Sequence, residues 1–411
     1  MFNRFWHDIW ILMFALLIFV GVFSEQALVI GLGVMGLLVA LVSWLWNRLS
    51  LEEVHYEREI EQTRVFRGEE TKLTISLTNR KPVPLGKLNL EDEYPEEIEI
   101  VGAEATPSSN PKSMILRLHT SVSWYERVKW EYTIRCHTRG FYRFGPARME
   151  SGDLFGFFES EAALRGNDYL LVYPRVIPLP DLGLPPLRPL GETRGGIEIF
   201  QDMSRPSGLR EYQLGDPLKI IDWKATAKMQ QLQVRTFEPS STFTVILIVA
   251  VETSERSWEG YSPTNLERVI TASASIASHA AEQQHSIGLF SNGVPILTDR
   301  PMKLEPAGTP EQLAIVLEAL ATIRPLPIGP MAGQLDVNLR QFPPGSTLVM
   351  IAAILSEDLV ASITNLRRQG YRVVVVFVGD SEPPEMPDGV VTHDLRRFFE
   401  NMEMAGEFGP R

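Results

Sequence analysis

Residues 242–252, TFTVILIVAVE, decide the fold of the carboxyl-terminal part of the chain. Their apolar run is short, rich in β-branched residues and closed by an acidic residue, which predicts a buried strand. Comparable runs recur in HSIGLFSN, STLVMIAAIL and YRVVVVFVGD, and helical periodicity lies between them in NLERVITASASIASHAAEQQ, TPEQLAIVLEALATI and SEDLVASITNLRRQG. The alternation predicts an α/β domain over residues 242–400, with a parallel sheet covered on both faces and a short tail at 401–411.

The residues just after the first of these strands resemble the start of the metal site of a von Willebrand factor A domain. That site needs Asp-x-Ser-x-Ser, a Thr from a later loop and an Asp after a further strand, because hard oxygen ligands suit Mg²⁺. Here Glu252 and Ser254 are followed by Arg256, Thr309 is the candidate for the distant Thr, and the strand VMIAAIL is not followed by the Asp. We therefore expect a degenerate von Willebrand A-like domain without a bound metal or other cofactor, and Mg²⁺ is the ion to test.

The middle of the chain, residues 52–175, alternates with the period of two that strands require. The pattern is clear in TRVFRGEETKLTISLTNRK, SMILRLHTSVSW and RVKWEYTIRCHTRGFYRFGPARME, and it predicts an immunoglobulin-like β sandwich. Cys136 is the single cysteine, and its neighbour His137 should point to the opposite face of the same strand. We predict a buried structural thiol at Cys136 and interpret the acidic run Glu91–Glu93 as a solvated turn, in preference to a catalytic carboxylate pair.

The first fifty residues are almost continuously apolar from Ile9 to Phe23 and from Ala27 to Trp46. Two such runs joined by a tight turn predict a transmembrane helical hairpin over residues 1–50, the alternative for the first run being a cleaved signal peptide. Arg4 and Arg48 lie outside the pair, which places both ends, and the bulk of the chain, in the cytoplasm. The GLGVMG sequence at 31–36 lies inside an apolar run, so we interpret it as a helix-packing feature, not as a dinucleotide site.

Residues 176–241 combine a proline-rich linker, whose run VYPRVIPLPDLGLPPLRPLG begins at Val172, with the segment GLREYQLGDPLKIIDWKATAKMQQLQVRTFE. This segment resembles the signature of the bacterial domain of unknown function 58 family, whose members carry R-E-Y, G-D, I-x-W and L-x-V-R elements before a von Willebrand A-like domain. The paired apolar runs and VFRGEETKLTISLTNRKPVPL, TRGFYRFGPARMESGDLFGFF and VYPRV resemble the rest of the family's pattern, so the resemblance covers nearly the whole chain.

The resemblance implies an accessory role, because family members are often encoded beside MoxR-type AAA+ ATPases and membrane-bound transglutaminase-like proteins. The signature segment is either a structural brace or a docking surface for such a partner, since Trp, Tyr and Arg dominate interface hot spots. The candidate partner-binding residues are Arg210, Glu211, Tyr212, Gly215, Asp216, Asp222, Trp223, Lys224 and Arg235.

Net charge and the search for catalytic motifs reduce the number of functional classes to consider. A net charge of −12 over 411 residues opposes phosphate backbones, so nucleic acid is not expected as a partner. The sequence has no G-x-S-x-G elbow, H-E-x-x-H pair or phosphate-binding loop, so no catalytic residue is assigned. We expect a membrane-anchored cytoplasmic interaction factor that contacts lipid and protein. The alternatives are a metal-dependent adhesion-type receptor and a hydrolase or transferase whose cleft sequence does not reveal.

Overall fold

The structure is a computed structural model. It describes residues 2–153, 158–164, 166–184, 201–212, 221–239, 243–254, 260–296, 302–338 and 341–406. The chain divides into two units, Met1–Tyr173 and Pro174–Arg411. The first unit joins an apolar helical pair to a sheet-rich domain, and the second contains a hairpin and an α/β domain, so the predicted mixed α/β multidomain organisation is confirmed in outline.

Two antiparallel helices open the first unit: α1 (Phe2–Phe23) and α2 (Ala27–Ser50). Gly33 and Gly36 of α2 lie against Ile18 and Phe14 of α1, where a Cβ would collide with those side chains, so part of the GLGVMG motif serves helix packing as predicted. Among the described residues, only α2 is both long and apolar enough to cross a membrane; the described apolar part of α1, Ile9–Phe23, is shorter.

The β domain follows, and its strands lie where the period-two alternation predicts strands. They are β1 (Val54–Ile60), β2 (Arg64–Phe66), β3 (Glu70–Asn79), β4 (Leu85–Pro95), β5 (Ile98–Val101), β6 (Ala105–Pro107), β7 (Ser113–Val122), β8 (Arg127–Cys136), β9 (Gly140–Phe144), β10 (Ala147–Gly152), β11 (Glu159–Leu164) and β12 (Asp168–Tyr173). They form sheets of order β1-β3-β8-β5, β11-β10-β4-β7-β6 and β2-β12-β9. Alternate residues of the first two sheets share one apolar core, which includes Leu73, Ile75, Leu88 and Leu90.

Cys136 lies in this core at the end of β8 with no solvent exposure, which confirms the prediction of a buried thiol. Burial raises the pKa of the Cys136 thiol to about 12. Its neighbour His137 instead contacts Glu99 through Nε2 at 2.7 Å. A Cys–His nucleophile pair is therefore not formed.

An antiparallel hairpin in the second unit lies where the sequence predicted the signature segment. Strands β13 (Gln201–Glu211) and β14 (Gln233–Pro239) pair with each other, and the short helix α3 (Trp223–Met229) lies in the connection between them. The described part of the signature segment is therefore largely regular secondary structure, whereas residues 179–183 of the linker form turns.

The α/β domain fills the rest of the second unit. Its elements are β15 (Thr244–Val249), α4 (Pro263–Glu282), β16 (Ser286–Ser291), β17 (Gly293–Pro295), β18 (Met302–Ala307), α5 (Gln312–Thr322), β19 (Ile323–Pro327), α6 (Met331–Asn338), β20 (Thr347–Ala352), α7 (Glu357–Arg368), β21 (Arg372–Phe377), β22 (Val391–Asp394) and α8 (Arg396–Met404). The main sheet has the order β18-β16-β15-β20-β21-β22. All its pairs are parallel except β16 with β18, which is antiparallel, so the prediction of a fully parallel sheet is wrong at this edge.

Helix α8 extends past the predicted domain boundary at residue 400. Ion pairs join it to the rest of the α/β domain. Arg268 of α4, whose side chain is 3 % exposed, donates from Nε and Nη2 to Glu403 of α8 at 2.7 and 2.8 Å. Arg268 also pairs with Asp380, which follows β21, at 2.7 Å. This two-sided pairing satisfies a buried guanidinium and makes α8 part of the domain.

Candidate functional site

The carboxyl edge of the parallel sheet is the first candidate site. In an open α/β sheet, the chain adds strands first on one side of the first strand and then on the other. Ligands bind at the carboxyl ends of the two strands where this order reverses, which here are β15 and β20. Glu252 and Ser254 follow β15, and Ser356 caps α7 after β20 by accepting from the Leu359 amide at 3.3 Å. The sequence predicted that Glu252 and Ser254 would lie at this carboxyl edge of the sheet.

Glu252 is engaged in the structure of the domain itself. Its Oε1 accepts a hydrogen bond from the main-chain amide of Met331, the first residue of α6, at 2.9 Å. Burial raises the pKa of Glu252, and the Met331 amide and the Asn292 side chain act in the opposite direction. A carboxylate at a helix amino terminus stabilises the helix through its free amides and its dipole, so Glu252 acts as a cap for α6.

Asn292 supports the same arrangement from the end of β16. Its side chain is completely buried; Oδ1 accepts from the Val251 amide at 3.1 Å and Nδ2 donates to the Gly329 carbonyl at 3.1 Å. The residue thus ties the end of β15 to the loop that enters α6. Sequence reasoning missed Asn292, although a polar residue directly after an apolar strand was the available signal.

The structure places the other two metal-site candidates, Ser254 and Thr309, as follows. The Ser254 hydroxyl donates to the Gly260 carbonyl at 2.5 Å. Thr309 follows β18, which runs antiparallel to β16 and ends with Ala307 opposite Ile287, so Thr309 lies at the amino edge of the sheet. Arg256 lies outside the described residues. Across the described ranges, no group of three or more His, Cys, Asp or Glu side chains is arranged to hold a metal ion.

The signature hairpin is the second candidate site. Asp222 caps α3 by accepting from the Ala225 amide at 3.0 Å, so its role there is structural. Three apolar side chains on and just after α3 are exposed to solvent: Trp223 is 67 % exposed, Met229 61 % and Leu232 43 %. We call these three residues the α3 patch.

The other predicted partner-binding residues are placed as follows. Lys224 is exposed beside Trp223, Glu211 is exposed at the end of β13, and Tyr212 is half-buried with its amide bonded to the Leu232 carbonyl. Gly215, Asp216 and the side chains of Arg210 and Arg235 lie outside the described part of the chain. The structure therefore places Asp222, Trp223 and Lys224 at the start of α3, and Tyr212 beside Leu232, which follows that helix.

A buried charge network in the β domain corrects the interpretation of Glu91–Glu93 as a solvated turn. These residues lie on β4, and the Asp92 side chain is 4 % exposed. It accepts from Arg58 at 2.5 Å and from the Tyr56 hydroxyl at 2.7 Å, while Arg58 also pairs with Asp168 at 2.8 Å. Burial, then the Asp92 charge, raises the pKa of Tyr56.

Arg58 also donates to two main-chain carbonyls, those of Phe144 and Gly166, at 3.0 and 3.2 Å. Its guanidinium, 1 % exposed, therefore joins β1 to β4, β9 and β12. Because every one of these partners belongs to the framework of the β domain, we interpret the network as a brace of that domain.

Taken together, the features define a chain with an apolar amino-terminal helix, a sheet-rich domain, an exposed hairpin and an α/β domain with one antiparallel edge strand. Residues 208–395, which span most of that hairpin and the α/β sheet, match the model of the family described as "Protein of unknown function DUF58". This carboxyl-terminal part of the chain, residues 208–395, is therefore assigned to the DUF58 family.

Comparison with individual proteins agrees with this assignment. The chain is 26 % identical over 245 residues to the "Uncharacterized protein YeaD" of Bacillus subtilis (strain 168). The match covers 59 % of this chain and spans only 57 % of the length of that relative.

Solved structures with partial similarity include two cohesins. A non-cellulosomal cohesin from Archaeoglobus fulgidus is 11 % identical, with 28 % of this chain and 90 % of that chain covered and a TM-score of 0.20. A type II cohesin domain from the cellulosome of Acetivibrio cellulolyticus is 10 % identical, with 28 % and 94 % covered and a TM-score of 0.22. At these TM-scores the likeness carries no argument about fold or function.

Proposed function

We propose that this protein is a membrane-anchored interaction factor whose bulk lies in the cytoplasm. It assists a MoxR-type AAA+ ATPase, together with membrane-bound transglutaminase-like proteins, in assembling or regulating other proteins. The observation that carries the proposal is the α3 patch, three exposed apolar side chains, one of them a tryptophan, inside the region that matches the DUF58 model. Exposed Trp and Met side chains are enriched at protein interfaces and cost solubility unless a partner covers them.

In this proposal, both α1 and α2 cross the membrane. The length of α2, 24 residues, corresponds to about 36 Å, and α1 packs along it through Gly33 and Gly36. Arg48 lies over the Trp44 ring, 5.7 Å from its centroid, at the end nearest the β domain. A basic residue and interfacial tryptophans at that end support a cytoplasmic position for the β domain.

We further propose that the α/β domain is von Willebrand A-like and binds its partner without a metal. The von Willebrand A-like fold is supported by the sheet order, in which β15 is central and the antiparallel strand β18 is at one edge. Binding without a metal is supported by the engagement of Glu252 with α6 and the position of Thr309 at the opposite edge of the sheet. Protein binding is then assigned to the hairpin and not to a metal-bridged carboxylate.

Capture of the ATPase from native membranes tests this function. The wild-type chain, a Trp223→Ala/Met229→Ala variant and a Leu326→Ala/Val337→Ala control are crosslinked in cells and purified in detergent. The control removes side chains of the same unit that are 63 % and 79 % exposed. We expect the MoxR-type ATPase to accompany the wild type and the control but not the α3 variant. Equal recovery with all three chains would refute the docking role of the α3 patch.

A further inference from the structure

The end of α2 is bonded directly to the β domain. The buried Lys81 ammonium donates to the carbonyls of Ser50 and Glu52, which are the last residue of α2 and the second residue after it. The Ser160 hydroxyl of β11 donates to the Asn47 carbonyl at 3.3 Å. These bonds satisfy carbonyls that a helix end leaves without partners, and they fix which end of the β domain faces the membrane.

The β7–β8 turn, residues 123–126, lies at this same end. The Tyr125 amide donates to the Lys81 carbonyl at 3.4 Å, and the Asn79 side chain donates to the Ser123 carbonyl at 2.9 Å. One residue, Lys81, therefore contacts the end of α2 with its side chain and this turn with its main chain. The register agrees, since Val54, the first residue of β1, is paired with Asn79.

The turn presents two aromatic side chains to solvent. Trp124 is 65 % exposed and Tyr125 is 68 % exposed. Tyr125 also has a φ of 54°, a left-handed conformation that a bulky side chain rarely adopts. Large apolar rings on a strained exposed turn indicate a surface that meets another phase or partner.

The depth of the turn identifies what the rings meet. From Ala27 to Trp46 the helix rises about 30 Å, which is the thickness of the hydrocarbon core. Asn47 to Ser50 add about 6 Å, which is about the depth of one headgroup layer. The turn beside Ser50 thus lies at the height where Trp and Tyr side chains are enriched in membrane proteins.

We infer that Trp124 and Tyr125 insert into the headgroup layer of the bilayer that holds α2. The β domain then contacts the membrane surface directly and is not attached to the membrane through α2 alone. The inference rests on the proposed membrane anchoring. Exposed Glu52, Glu53, Arg80 and Arg127 at the same end carry charges of both signs, so charge does not select anionic headgroups. The contact is therefore made by the rings and does not require anionic lipid.

Site-directed nitroxide labelling of the full chain in phosphatidylcholine nanodiscs tests the inference. Three single variants are labelled: Trp124→Cys, Leu41→Cys on the exposed face of α2, and Ser109→Cys in the exposed β6–β7 turn. The ten residues of β7 separate the turns at 109 and 124 by about 33 Å. Native Cys136 is fully buried, so one label per chain shows that the β domain is folded; if Trp124→Cys takes two labels, Tyr125→Cys replaces it.

The readout is the collision rate of each nitroxide with oxygen, which partitions into lipid, and with a water-soluble nickel chelate. We expect position 41 to favour oxygen, position 109 to favour nickel, and position 124 to lose most of the nickel collisions seen at 109. Equal nickel collision rates at 124 and 109, with position 41 still in lipid, would overturn the inference and leave the anchoring intact. Nickel access at position 41 as well would overturn both.

Discussion

The Glu252 carboxylate and the Met331 amide are joined by a hydrogen bond of 2.9 Å, so the first candidate residue of the degenerate metal site caps a helix. Replacing Glu252 with Ala should leave the Met331 amide without its acceptor and cost about 1–3 kcal/mol of local stability. Replacing it with Gln keeps an acceptor oxygen and should cost much less. Hydrogen exchange of α6 distinguishes the two variants. Equal protection of α6 in wild type and Glu252→Ala would show that the cap is not needed.

Glu252 also predicts a pH dependence. Burial raises its pKa in the folded state, so its contribution to stability is complete below the unfolded-state pKa of about 4.3 and is lost as pH rises through the folded-state value. Relative to Glu252→Gln, the free energy of unfolding of the wild type, measured by urea denaturation, should therefore decrease as the pH increases above that range. Parallel pH profiles for the two proteins would contradict the raised pKa.

The Arg58–Asp92 pair predicts a strong and non-additive effect in the β domain. Arg58→Met leaves the buried Asp92 without its main charge partner and should cost about 3–5 kcal/mol, whereas Arg58→Met/Asp92→Leu should recover much of that loss. Urea unfolding followed by near-ultraviolet circular dichroism measures both. The exposed pair Arg127–Glu57, at 3.3 Å, is the matched control, and its disruption should cost about 0–1 kcal/mol. Additive losses at Arg58 and Asp92 would argue against direct coupling.

Lys81 predicts a specific loss at the junction of α2 and the β domain. Lys81→Met removes a charged donor from the carbonyls of Ser50 and Glu52, a loss of about 1.5–3 kcal/mol. Hydrogen exchange of residues 47–56 in nanodiscs should accelerate, while the exposed Lys87→Met serves as a control without effect. Unchanged exchange in Lys81→Met would show that the junction does not depend on these bonds.

Much of the architecture was predictable because hydrophobic periodicity marks strands and helices directly. Alternation in the middle of the chain gave the strands of the β domain, and short apolar runs gave β15, β16, β20 and β21. Asp92 was misplaced because three consecutive acidic residues suggest a turn, although Asp92 is two residues from both Leu90 and Tyr94 and shares their inward face.

The candidate metal site was less predictable because it depends on contacts far apart in sequence. The direction of β18 moves Thr309 to the edge of the sheet opposite Glu252, and nothing in the local sequence reveals a reversed strand. The capping role of Glu252 likewise depends on Met331, 79 residues away. The immunoglobulin-like topology, the second membrane span and the partner remain predictions.

Photo-crosslinking from the α3 patch tests the central claim most directly. A benzophenone amino acid is placed at Met229 and, as a control, at Val337, which is 79 % exposed on α6. In native membranes, the account predicts a light-dependent adduct between position 229 and the MoxR-type ATPase and none from position 337. Absence of that adduct at 229, or equal adducts from both positions, would contradict the claim that the signature hairpin is the docking surface.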